Sequence, residues 1–84
     1  ELAHTDESVT LFSFDASQGQ SPHQVPYEAL ISAIDDDDPQ SKGRQVMRHD
    51  GLDLIKMKSD ESQIMNRITY SLRRKYPIIF ERKT

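Results

Sequence analysis

Cysteine is absent from the chain, which excludes a disulfide framework, a thiolate nucleophile and any cysteine-based zinc site. Glycine occurs only at the isolated positions Gly19, Gly43 and Gly51, so no glycine-rich phosphate-binding loop can be built. No apolar run approaches the roughly 20 residues of a membrane span. The opening Glu1-Leu2-Ala3-His4 lacks the basic and apolar regions of a secretory leader. These absences lead to the expectation of a cytoplasmic or nuclear setting with no membrane partner. The most informative absence is of positive charge: residues 1–41 contain nine acids and neither lysine nor arginine. All eleven bases fall in residues 42–84, against five acids, so a net charge of −3 conceals halves of −9 and +6. Asymmetry of this kind points to charged interaction surfaces.

What is present is lean but patterned. The 84 residues, 35% hydrophobic and 30% charged, can build one core and no second. Residues 1–8 show no apolar periodicity and read as a disordered tail, leaving 9–84 as a single α+β domain. Val9-Thr10-Leu11-Phe12-Ser13-Phe14 is β-branched and aromatic and predicts a strand, with Phe12 and Phe14 on one face and Val9 and Leu11 on the other. Ala16 to Gln24 is polar, broken by Gly19 and Pro22, and reads as a loop. Pro26 suits the start of a helix, along which Tyr27, Leu30, Ile31 and Ile34 form one apolar stripe. Carboxylates are unfavourable at the negative end of a helix, so Asp35 to Gly43 reads as a turn.

Asp50-Gly51 between Gln45–His49 and Leu52–Met57 is a type I′ hairpin signature. Its two-residue turn sets His49 opposite Leu52, Arg48 opposite Asp53, Met47 opposite Leu54 and Val46 opposite Ile55. Ser59 then suits the cap of a second helix, with Asp60 and Glu61 in its first turn. Its buried stripe is Ile64, Met65, Ile68, Leu72 and Tyr76, and Arg73, Arg74 and Lys75 lie in its last turn. Pro77 ends it, and Ile78-Ile79-Phe80 predicts a closing strand before a charged tail. The resulting order, β-α-β-β-α-β, is the ferredoxin-like sandwich: a four-stranded antiparallel sheet with both single-stripe helices on one face.

Chemistry-bearing groups are sparse. His4, His23 and His49 have no metal-ligand spacing, and no nucleophile elbow surrounds any serine. The Asp35-Asp36-Asp37-Asp38 run offers oxygen ligands, but an EF-hand loop is excluded because Val46 stands where its twelfth residue should be Glu. No catalytic residue, metal site or cofactor is therefore expected. RNA-recognition modules of this topology carry stacking aromatics on both central strands, whereas Leu52–Met57 carries none. Arg67, Arg73, Arg74, Lys75, Arg82 and Lys83 form a basic constellation, with Arg67 and Arg74 seven apart on one helix face. The function expected is non-catalytic binding of a protein partner, such as an acidic segment, through this ridge and the acidic turn Asp35–Asp38. Nucleic-acid binding by the basic second helix is the alternative, and head-to-tail or homodimeric self-association of the two charged halves is a further expectation.

Overall fold

Alternation along a single strand sets the layering of the domain. The computed structural model describes residues 6–15, 17, 19, 21–40, 45–58 and 61–83. Strand β1 (Asp6–Ser13) sends Val9 and Leu11 into the core and leaves Phe12 half-buried on the opposite face, the division its sequence pattern predicts. It begins at Asp6, so residues 6–8 are paired strand where the sequence reads as tail; residues 1–5 lie outside the described residues. The cause is a partner the local sequence cannot show: Asp6 pairs with Lys58, Glu7 with Met57 and Ser8 with Lys56. A short strand, β2 (His23–Gln24), forms within the stretch read as loop, and Val25 beyond it is fully buried. Helix α1 (Tyr27–Asp37) follows, then β3 (Val46–His49), β4 (Leu52–Lys58), α2 (Ser62–Leu72) and β5 (Ile79–Lys83).

The sheet is antiparallel and curled. Val9 pairs with both Ile55 and Lys83, and Phe12 with both Gln24 and Phe80, so β5 lies along one edge of β1 while β4 and β2 divide the other. The Gln24 side chain closes that division: its Oε1 accepts from the Asp53 N–H at 2.7 Å and its Nε2 donates to the Gly51 carbonyl at 3.1 Å. The β3–β4 hairpin has all four residue pairs in the expected register. Asp50 and Gly51 have φ of +55° and +78°, as a type I′ turn requires, and glycine and aspartate tolerate that region best.

Both helices cover the same face. Leu30, Ala33 and Ile34 of α1 and Met65, Ile68 and Leu72 of α2 close over Val9, Leu11, Ile55, Met57 and Ile79, with Ile64 and Tyr76 at the margin. Tyr27, expected in the α1 stripe, is instead exposed and Ala33 takes the buried position. Helix α1 also continues through Asp35, Asp36 and Asp37, residues expected in a turn. Burial of Ile34 holds that last turn, and Arg67 offsets one of the unfavourable carboxylates. Asp38 leaves the helix, its N–H still bonded to the Ile34 carbonyl and its side chain accepting from the Gln40 N–H. Helix α2 starts after Glu61, whose carboxylate accepts from the Lys58 N–H at 2.7 Å; Ser59 and Asp60, expected as cap and first turn, lie outside the described residues, as do Ser41, Lys42 and Gly43 of the expected turn. It stops at Leu72, placing Arg73, Arg74 and Lys75 in the turn beyond it rather than in its last turn. Strand β5 runs on to Lys83 through what reads as a charged tail, because β1 supplies a partner for each residue. No helix among the described residues is long and apolar enough to cross a membrane.

Candidate functional site

The six cations of the expected ridge are divided by the fold into four groups. Arg67, in mid-α2, is turned onto the end of α1: its Nε donates to Asp37 Oδ1 at 2.5 Å and its Nη2 to Oδ2 at 3.3 Å. The hydrogen bonds to Asp37, and then its charge, hold the Arg67 guanidinium still more firmly protonated than usual. Lys83, at the end of β5, reaches Glu7 of β1 at 3.6 Å. Arg82 lies over the Phe12 ring, 5.2 Å from its centroid. Arg73, Arg74 and Lys75 are exposed side by side, with no ion pair among the described residues.

The acidic run is likewise split. Asp37 belongs to Arg67, and Asp38 caps α1. Asp35 is half-buried, its Oδ1 without a hydrogen-bond partner among the described residues. Asp36 lines a groove of about 150 Å³ between α1 and the end of α2, where Ser32, Ser71, Arg74 and Lys75 are also found. The acidic and basic segments thus meet within one molecule, in the Arg67–Asp37 and Lys83–Glu7 pairs. In an Arg67→Glu variant two carboxylates confront each other, and the thermal midpoint falls; the swap Arg67→Glu with Asp37→Arg restores most of it. Equal midpoints for the single variant and wild type would show that the pair is only a surface contact.

The second surface is the sheet face that the helices leave open. Phe12 and Phe80, directly paired across β1 and β5, stack with centroids 5.7 Å apart and planes 15° apart. Cross-strand pairing puts Leu54 and Met47 on the same face of β4 and β3. The sequence places Phe12 on the strand face opposite Val9 and Leu11; it does not show Phe80 as a neighbour, since only the β1–β5 register brings Phe80 beside Phe12.

Among the described residues, His23 is the histidine that meets serine. Ser13 and His23 are direct cross-strand partners, Oγ and Nε2 3.3 Å apart, and His23 Nδ1 lies 3.3 Å from the Ser21 carbonyl. If Nδ1–H donates to that carbonyl, Nε2 accepts from the serine hydroxyl. Ser13 is buried, and the neighbouring Phe14 N–H is committed to the Ile78 carbonyl, so this N–H is not free to serve an oxyanion. The contact is therefore assigned to strand pairing. Among the described residues, His49 reaches the adjacent Asp50, at 3.3 Å. Among the described residues no three His, Asp or Glu side chains gather as a metal site. Comparison with family models, with curated proteins and with solved structures finds no match for this chain.

Proposed function

We propose that the domain is a non-catalytic interaction module, acting in the cytosol or nucleus, that captures an acidic segment of a partner protein on the turn Arg73-Arg74-Lys75. The observation that carries this reading is the contrast among the arginines and lysines. Arg48, Arg67 and Lys83 are tied to carboxylates, whereas three consecutive cations stand exposed beside the interhelical groove. Neighbouring like charges raise the local potential and speed encounter with an acidic surface. Helix α2 itself carries only Arg67, engaged by Asp37, which favours a compact cationic turn over a ridge that tracks a phosphate backbone. The arrangement is further read as ferredoxin-like with His23–Gln24 inserted: without that short strand the order is β5-β1-β4-β3, with both helices on one face.

Fluorescence anisotropy with a labelled peptide of glutamate and aspartate tests the reading. Arg73→Glu with Arg74→Glu and Lys75→Glu weakens binding at least about tenfold, an effect that shrinks as salt rises, since exposed charges are screened within about 8 Å at physiological ionic strength. The thermal midpoint stays near wild type, because none of the three residues is buried. Unchanged peptide binding by the triple variant, or tighter capture of a thymidine oligonucleotide with a steep log–log salt slope, overturns the proposal.

A further inference from the structure

We propose that the outer edge of β5 is a strand-addition site, on which the acidic segment of a partner protein continues beyond the cationic turn and pairs as a further strand; this rests on the reading that Arg73-Arg74-Lys75 takes such a segment. Antiparallel ladders alternate, so neighbouring residues of one strand bond to opposite sides. The Val25 N–H donates to the Leu11 carbonyl at 2.9 Å and the Phe14 N–H to the Ile78 carbonyl at 3.3 Å, so odd residues of β1 bond toward β2 and even residues toward β5. Phe12 then bonds with Phe80 and Thr10 with Arg82, and the N–H and C=O groups of Ile79, Glu81 and Lys83 point away from β1. Among the described residues no strand lies on that side of β5. The same alternation leaves only Val46 and Arg48 outward on β3, since the Gln45 carbonyl accepts from the Lys56 N–H, so β5 offers the longer free edge.

A free edge accepts any strand that its side chains do not repel. Connection and charge select the occupant. Only Tyr76, Pro77 and Ile78 separate the cationic turn from β5, and the four residue steps from Lys75 to Ile79 span at most about 14 Å, so a segment held on the turn has the edge within reach. Ile78, Phe80 and Arg82 alternate onto one side of the edge, the first two 49% and 43% exposed. Arg82, lying over the Phe12 ring, is exposed and has no carboxylate partner among the described residues. A carboxylate across from Arg82, with apolar side chains across from Phe80 and Ile78, fits this row, and Glu81 calls for an uncharged residue across from itself. A second copy fits poorly. Two-fold pairing of β5 with itself about Glu81 or Arg82 sets like charges directly opposite, and pairing about Phe80 sets Lys83 across from Pro77, which has no N–H to donate. A nucleic acid has no alternating N–H and C=O groups with which to continue the ladder.

Amide hydrogen exchange read by NMR tests the edge in the wild-type chain. Without a partner, Ile79, Glu81 and Lys83 exchange faster than Phe80 and Arg82. A saturating peptide of glutamate, valine and serine slows those three amides about tenfold or more. Docking through side chains alone would not single out every second amide. Glu81→Pro removes an outward N–H that takes no part in the ladder to β1, so the thermal midpoint stays near wild type. Peptide affinity, read by fluorescence anisotropy, falls about tenfold in that variant, whereas Glu81→Gln, which keeps the N–H, binds at least as tightly as wild type. Alternating protection together with an affinity that the triple reversal at Arg73, Arg74 and Lys75 does not weaken keeps the edge and overturns the cationic turn. Binding that the triple reversal weakens, without slowing at Ile79, Glu81 and Lys83, keeps the turn and overturns the edge. Alternating protection that grows with protein concentration in the absence of peptide assigns the edge to a second copy and overturns the acidic occupant. Absence of peptide binding, or capture of a thymidine oligonucleotide in its place, overturns both.

Discussion

Ile68→Ala lowers the unfolding free energy by about 2 to 5 kcal/mol, measured by urea denaturation followed by circular dichroism. Ile68 is 1% exposed and sits at the centre of the α2 stripe, between Met65 and Leu72, where both helices meet the sheet. Truncation removes buried methyl groups and leaves a cavity that the neighbouring helix cannot fully close. A chain of this length has a total stability on the order of 4 to 13 kcal/mol, so the loss is a large fraction of the whole. Part of the population is then unfolded without denaturant if the domain lies at the lower end of that range. A loss under about 0.5 kcal/mol would show that this face of α2 is not packed.

Arg48→Ala costs about 1.5 to 3 kcal/mol, although the arginine itself is exposed. The reason is its partner: the Asp53 side chain is 6% exposed, and Arg48 Nε and Nη2 each lie 3.0 Å from its Oδ1. Removing the guanidinium leaves a buried carboxylate unpaired, and such a group keeps its full desolvation cost. The companion variant Arg48→Ala with Asp53→Leu recovers most of the loss, since no charge then remains to be desolvated. A double variant less stable than Arg48→Ala alone would overturn this account and show that the Asp53 carboxylate supports the fold beyond its pairing with Arg48.

The hairpin was legible because its determinants are local. Asp50-Gly51 admits few turn types, and a two-residue turn leaves one register for the strands beside it. The α2 stripe was legible for a similar reason, as a 3.6-residue period in large apolar side chains survives any packing. Ends were harder. Strand β1 reaches back to Asp6 and β5 runs forward to Lys83 because each found a partner elsewhere in the chain, and neither segment has apolar periodicity to announce it. Gln24 gave no signal at all; its amide matters only because the turn at Gly51 and the Asp53 N–H come within reach.

By itself the sequence determined the α+β class, the hairpin register, two single-stripe helices and a division of charge between its halves, because each depends on composition or on spacing within a few residues. Only the tertiary structure decided what that division does. Strand β1, from the acidic half, lies between β4 and β5 from the basic half, and α1 lies beside α2, so Asp37 meets Arg67 and Glu7 meets Lys83 inside one molecule. A charge count along the chain cannot separate cations neutralised across the fold from those left facing solvent. Coulomb attraction depends on distances in space, which here span 30 residues between Asp37 and Arg67.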